Sequence, residues 1–360
     1  MKVSRIIIII VVVLIVIIVA LAAYSALTPA SSSPWKSVAT YPLEVDDAFG
    51  VSGQQCVNST QYVVCVGGQD IALGPHNGVY TSSAVSLTSG NITSWTPDSS
   101  LYPRPVYAQA CVASSGYIYC VGGSYDDGGD DVNSSYYATL GSNGLVGNWG
   151  TTTAYPFPVD SLSCVASSGY IYCVGGYMEP AGLNVTGNLN SFVYFATLSS
   201  SGIGKWTQTT AYPSNTFLPS CFANENYIYC LGGIDGSYSA QSTDYYAPLS
   251  SAGVGSWTST QPYLVKELGP ACAVSSGYVY CVGGKVQGGF VNAVYYASVT
   301  TNGIGTWTKA ANYPDSASTT CVISSGDIYC VGGLDSSSNQ ETAVSYYISL
   351  DLLLGVTTSS

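Results

Sequence analysis

Few side chains in this sequence are equipped for chemistry, and their distribution is uneven. Charged groups gather in the segments that follow recurrent Tyr-Pro pairs: Glu44, Asp46 and Asp47, then Arg104, Asp160, Lys266, Glu267 and Asp315. An arginine among carboxylates suits two tasks. Its planar guanidinium grips a ligand carboxylate in bidentate fashion, and paired carboxylates act as general acid and base. Arg104, Asp46, Asp47, Asp160, Glu267 and Asp315 are therefore the candidate ligand-binding residues. Tyr107 joins them as a ring to stack on a sugar or anchor a protein partner, and Phe49, Tyr125, Tyr177, Phe217, Tyr238 and Phe290 are further loop aromatics. The stretch SYDDGGDDVNSS sets Asp126, Asp127, Asp130 and Asp131 around two glycines. Such a cluster either chelates calcium through its oxygens or is a plain solvated loop, and its spacing is not that of an EF-hand. Calcium is the one cofactor these residues suggest. His76, the only histidine, removes every metal or catalytic site that needs two.

Composition narrows the classes further. With 8 basic against 20 acidic residues in 360, the chain has no basic stripe for phosphates, which excludes nucleic-acid binding. A hydrophobic content of 47% excludes wholesale disorder. Lys2 and Arg5 precede an unbroken apolar run from Ile6 to Ala23. That run is long enough for a bilayer-spanning helix, and the flanking cations favour a cytoplasmic N-terminus. Ala20-Leu21-Ala22 also reads as a signal-peptide cleavage site, so the reading is an anchor over residues 1–27, contacting the membrane through 6–27, or else a cleaved leader of a secreted protein. Either way the remainder is exported. Removing Lys2 and Arg5 from the 8 basic residues leaves 6 against 20 acidic, net −14. Residues 28–34 (TPASSSP) form a short linker.

The cysteines reveal the elements that must position all of this. Pairs with eight intervening residues recur at Cys56/Cys65, Cys111/Cys120, Cys164/Cys173, Cys221/Cys230, Cys272/Cys281 and Cys321/Cys330, with first-cysteine spacings of 55, 53, 57, 51 and 49 residues. A Gly-Gly pair follows each second cysteine by one residue. An aromatic doublet such as Tyr136-Tyr137 comes next, then a Trp such as Trp149, then usually a Tyr-Pro such as Tyr155-Pro156. The unit is a repeat of about 50 residues in six copies. In CVASSGYIYCVGG, two β-rich runs flank Ser115-Gly116, a two-residue hairpin turn. That turn sets Cys111 opposite Cys120 at a non-hydrogen-bonded pair, where Cα atoms lie about 4.5 Å apart, within disulfide range. Buried free thiols are the rival reading. No Cys-x2-Cys spacing or histidine partner supports zinc. Twelve cysteines paired in this way belong to an oxidising compartment.

Six four-stranded units without helices point to an all-β radial propeller. In the order of its parts, YIYCVGG…SSYYATL…GNWGTTTAYP resembles the kelch-repeat family (galactose oxidase/kelch type), whose motif ends its second strand in Gly-Gly and places Tyr on the third strand and Trp on the fourth. The cysteine pair and the missing acidic residue after the third-strand Tyr depart from that motif. The resemblance implies a six-bladed kelch-type β-propeller over residues 35–360, here preceded by a single N-terminal transmembrane helix. The sixth unit stops after Tyr346-Tyr347 without its Trp strand, whereas residues 35–42 supply a Trp strand with nothing before it, so that N-terminal strand is expected to close the ring. The loops after Gly-Gly are long and varied, and the blade-linking loops between Tyr-Pro and the first cysteine are expected nearest the mouth of the central channel. The family's copper chemistry needs two histidines and is excluded by the lone His76. The leading functional expectation is a membrane-anchored extracellular module that binds a cell-surface protein or glycan. The alternatives are an extracytoplasmic carbohydrate-active enzyme of mutarotase or hydrolase type, with its site at the channel mouth, and a structural envelope component.

Overall fold

The paired β-rich runs around each Cys-x8-Cys fold as a tight hairpin. In one, Ala110–Ser114 runs antiparallel to Tyr117–Val121 with Cys111 opposite Cys120. Ser115 and Gly116 take φ of 50° and 78°, the left-handed pair that lets a two-residue turn match the strand twist. Every cysteine is joined to its hairpin partner. The disulfides are Cys56–Cys65, Cys111–Cys120, Cys164–Cys173, Cys221–Cys230, Cys272–Cys281 and Cys321–Cys330, with Cα separations between 4.0 and 4.2 Å. No thiol is left free, so the rival reading of buried thiols falls away. This structure, a computed structural model, describes residues 33–355 apart from 43–51, 71–73, 84–90, 126–130, 179–187, 236, 238, 242, 265–268, 287–288, 316 and 336–339. Met1–Pro34 and Trp35–Ser360 form separate compact units; the following concerns the second. The apolar run of residues 6–23 lies outside the described residues, and among those described no helix is long and apolar enough to cross a membrane.

Each hairpin grows into an antiparallel meander. Ser135–Thr139 and Gly150–Thr151 add the third and fourth strands of blade two. The first strands of the other blades are Gln55–Ser59, Ser163–Ser167, Ser220–Asn224, Ala271–Ser275 and Ala317–Ser324. Successive first strands lie side by side around the centre, and the sixth lies beside the first. In blade six the outermost strand is Lys36–Ser37, paired with Tyr346–Ser349 from the other end of the chain. The fold is thus an all-β propeller of six blades, each with its own disulfide.

A propeller has no central core. Its apolar side chains form six clusters, each between two blades. Second strands are buried on both faces, and their period-two alternation serves two joints at once. Ile118 and Cys120 face blade one, whereas Tyr119 and Val121 face blade three. The disulfides therefore look toward the preceding blade.

One aromatic arrangement recurs at all six joints. The tyrosine that ends each blade inserts its ring between the third-strand tyrosine and the fourth-strand tryptophan of the next blade. Tyr102 meets Tyr136 and Trp149 edge-on at 5.3 and 4.9 Å; Tyr155 meets Tyr194 and Trp206 at 5.6 and 5.0 Å. Tyr41, Tyr212, Tyr263 and Tyr313 repeat the pattern. Edge-to-face pairs contribute about 0.5–1.5 kcal/mol beyond the area they bury. Hydrogen bonds lock the same joints: Trp149 Nε1 donates to the Ser100 carbonyl (3.2 Å), and Tyr119 donates its hydroxyl to the Ser199 carbonyl (2.9 Å). The third-to-fourth hairpins fit over these rings only because glycine leaves room. A Cβ on Gly202, at φ 104°, would lie 2.3 Å from Thr152 Oγ1.

The chain end has a place in this scheme. Blade six lacks the third-to-fourth hairpin that caps the preceding blade elsewhere, and a helical turn, Leu350–Leu353, substitutes for it. Leu350 donates its N–H to the Gly326 carbonyl, as Leu198 does to Gly169 in blade three. Leu350 and Leu353 are buried in the cluster around Tyr280 of blade five. Two expectations follow. Deleting residues 350–360 removes two buried leucines and lowers unfolding stability by about 3–6 kcal/mol, measured by denaturant titration with the disulfides intact. The Tyr155 hydroxyl is buried without a partner, and burial drives its pKa upward. Tyr155→Phe keeps the ring and raises stability by about 1 kcal/mol, whereas Tyr155→Ala lowers it by about 3–5 kcal/mol.

Candidate functional site

The ring leaves a channel at its centre. Its first strands have blade neighbours on either side but no strand partner on their inner edge, so they line the lumen. On the side of the blade-linking segments the channel widens into a cavity of about 570 Å³. Its floor is set by the first cysteines of the six disulfides, and its wall by the two residues preceding each, among them Gln54, Gln109, Ser163, Ser220, Thr319 and Thr320. Beyond the cysteines a second cavity of about 470 Å³ continues toward the tight hairpin turns. It is lined by the residues two positions after each first cysteine: Asn58, Ala113, Ala166, Ala223, Val274 and Ile323. Cys56, Cys111 and Cys321 line both cavities.

The second cysteines stand apart from this surface. Cys65, Cys120, Cys173, Cys230, Cys281 and Cys330 line neither cavity. Each is wholly buried in the apolar cluster of its own joint. Only one sulfur of each bridge therefore borders the lumen, and the other belongs to the scaffold.

The mouth is rigidly built on one side. Gly53, Ala108, Ser161 and Leu218 occupy equivalent places in blades one to four, all with φ between 50° and 68°. For alanine, serine and leucine this left-handed conformation is strained. It turns each N–H toward the preceding blade: Ala108 N–H donates to the Gly53 carbonyl (3.0 Å), Ser161 to Ala108 (2.9 Å) and Leu218 to Ser161 (3.1 Å). The result is a collar of backbone hydrogen bonds around the rim. Gln54 and Gln109 reinforce it, each donating Nε2 to a carbonyl of the preceding blade, Val331 (2.8 Å) and Val66 (2.9 Å).

Side chains from the longer loops complete the cavity. Phe217 follows the Tyr-Pro of blade three and meets Tyr177 edge-on at 6.0 Å. Lys285 and Phe290 face each other across a short two-stranded pairing in blade five, with Nζ 5.3 Å from the ring centre. Lys285 is the only ionisable side chain among the described lining residues. The cavity therefore offers hydroxyls, backbone groups, two rings and one ammonium. It can hold a polar ligand by hydrogen bonding and stacking, but the described lining contains no carboxylate to move a proton.

Of the described residues singled out by type, Phe217 and Phe290 line the cavity and the others do not. Asp46, Asp47 and Glu267 are outside the described residues, as are Asp126, Asp127 and Asp130 of the acidic loop. Asp131 is half-buried and bridged through its backbone to Ser124. Among the described residues no group of three or more His, Cys, Asp or Glu side chains is placed to hold a metal ion. Arg104, Tyr107, Asp160 and Asp315 are not among the residues lining the cavity. Arg104 and Asp315 share a repeat position, two after the linking tyrosine, with Phe157 and Ser214, and each contacts the blade that follows. The Arg104 guanidinium lies over the Tyr125 ring at 5.2 Å. Phe157 packs on Phe192 at 5.8 Å, and Ser214 Oγ bonds the Gln241 side chain at 3.1 Å. Asp315 accepts the Tyr346 hydroxyl, whose pKa burial and then this carboxylate hold up to about 12. Tyr107 and Asp160 share the position five after the linking tyrosine, where the backbone bridges to the residue following Gly-Gly. The position is thus one of latches between blades. Gln109 was missed because an amide carries no chemistry of its own, and Lys285 because it lies outside the segments that follow the linking tyrosines. Their signal was register: two residues before the first cysteine, and directly after Gly-Gly.

No protein-family model and no curated protein matches the chain, so the likeness to kelch repeats is one of motif order. Among solved structures, YjhT, a β-propeller, superposes with a TM-score of 0.66 at 13% identity, over 86% of this chain and 95% of that one. At that identity the likeness is one of fold.

Arg104→Ala lowers stability by less than about 1 kcal/mol, as loss of an exposed cation–π contact should. Ligand binding, measured by calorimetry, is unchanged in the same variant.

Proposed function

We propose that this chain is a binding module displayed outside the cell, anchored in the cell membrane by residues 6–27 with its N-terminus inside. The observation that carries this reading is the mouth cavity. It is concave and large enough for a small ligand or a protruding peptide or sugar. It sits on a stapled scaffold and offers rings and hydrogen-bonding groups without a carboxylate in the described lining. Binding modules need only such a surface, whereas proton-transfer enzymes need positioned acids and bases. Six disulfides support an oxidising compartment. The run from Ile6 to Ala23 behind Lys2 and Arg5 supports the anchor and its orientation. The partner in this reading is a cell-surface protein or glycan.

The test is a glycan array together with a pull-down from cell-surface extract, both using the full-length chain. We expect a protein or glycan ligand whose affinity falls about tenfold or more in Phe217→Ala and Phe290→Ala, with melting temperature unaltered in Phe290→Ala. Absence of any ligand, or a ligand indifferent to both substitutions, would sink the cavity reading.

A further inference from the structure

The joint between blades four and five breaks the repeat in several independent ways. The residue after the linking tyrosine is proline at the other five joints (Pro42, Pro103, Pro156, Pro213 and Pro314) but Leu264 here, 56% exposed. At those five joints the rim tryptophan donates Nε1–H to a carbonyl of the preceding blade. At this one Trp307 Nε1 is buried without an acceptor. The backbone collar of the mouth joins blades one to four and ends at Leu218, on the near side of this joint. Finally, the residue before the third-strand tyrosine that meets the linking ring is valine or serine in the other five blades, and Asp244 in blade four.

Asp244 is at the centre of this joint. Its side chain is fully buried. Oδ1 accepts the Gly232 N–H at 3.0 Å, and Oδ2 accepts the Tyr263 N–H at 2.7 Å. It thereby ties the second-strand end of blade four to the very tyrosine that packs against Trp307 of blade five. The titratable group facing it is the Tyr212 phenol on the segment entering blade four, itself buried and held neutral. No charged group from blades three, four or five offsets it among the described residues. An ionised carboxylate in such a place loses its hydration and gains only two backbone donors.

We propose that the joint between blades four and five is a pH-sensitive seam, tight while the Asp244 carboxyl is protonated and loosened when it ionises. Burial pushes this carboxyl up to about 7, against the opposing pull of its two backbone hydrogen bonds, from an ordinary value of 3.8. The folded joint thus holds the proton more tightly than the unfolded chain does. Its contribution to stability is whole below about pH 4, falls as pH rises from about 4 to 7, and is lost above that. The seam borders the mouth cavity on its Gly269–Lys285 side but does not depend on what the cavity binds.

Hydrogen exchange of the full-length chain tests it, with rates at pH 5 and pH 8 normalised for intrinsic chemistry. Peptides spanning 244–263 and 294–307 should exchange about tenfold or more faster at pH 8. Peptides spanning 135–155 and 193–206, around the joint of blades two and three, should show no such difference. Asp244→Ser, the residue found at this position in blades two and six, should abolish the difference. A uniform pH response at both joints, or one that survives in Asp244→Ser, overturns the proposal. Should that variant fail to fold, carbon-13 titration of the wild-type carboxyl decides instead: a midpoint below pH 5 overturns the seam, and one near 7 supports it.

Discussion

Everything in this propeller depends on a tyrosine that belongs to one blade and is buried in the next. A four-stranded meander of this size cannot bury both of its faces alone, and its two-residue outer strands add little. The linking ring supplies what the sheet lacks. It sits in a slot whose walls are the third-strand tyrosine and the fourth-strand tryptophan of the following blade, so the angle between blades is set by side-chain shape. Six repeats of that angle close the ring. Because every apolar cluster lies in a joint, the centre is left open, and the open centre is where a ligand can be held. Site and scaffold thus share one cause.

The disulfides answer a weakness that the same geometry creates. A first strand has only one hydrogen-bonded neighbour, since its other edge faces the channel. Cross-linking it to the second strand at a non-hydrogen-bonded pair ties down the edge most exposed to water. Each bridge closes a loop of ten residues, contributing roughly 2–3 kcal/mol on the chain-entropy view. The second cysteine of every pair, from Cys65 in blade one to Cys330 in blade six, is fully buried. A thiol that enters the channel can attack the lumenal sulfur only by expelling a thiolate into an apolar joint, where burial disfavours the charge. The staples are thereby protected from the side on which they are reachable.

Blade number, hairpin register and disulfide partners were legible because each rests on a local pattern repeated six times, Cys-x8-Cys followed by Gly-Gly at a constant offset. The site was much less so. Arg104 and Asp315 were chosen by residue type, and type is a poor guide where one repeat position is filled by arginine, phenylalanine, serine and aspartate in turn. What those four have in common is a contact with the next blade, a tertiary fact that no single repeat displays. The leucines at the chain end posed the same difficulty. They fit no repeat because they replace a hairpin by a helical turn, and only the vacant slot above Tyr280 shows why they are apolar.

The chemistry of the joints also explains why so poorly charged a chain is viable. Tyr119, Tyr172 and Tyr229 donate to carbonyls of the following blades at 2.9, 2.9 and 2.7 Å. Burial holds the first two phenols up to about 12 and the third higher still. The tryptophan N–H and threonine hydroxyl contacts do not titrate in water, and neither do the disulfides. Salt bridges therefore carry little of the structure: among the described residues the one contact of this kind is His76 with Asp70, at 3.6 Å, an ion pair only when the imidazole is protonated. A ring assembled from neutral donors and rings is indifferent to pH over most of the range in which proteins live. In such a molecule a buried carboxylate without a countercharge, as Asp244 is, is not averaged away among many ionisable groups. Whatever pH dependence the fold has between the carboxylate and phenol ranges must be dominated by the few groups of this kind, and the joint that contains it becomes the place where acidity is felt.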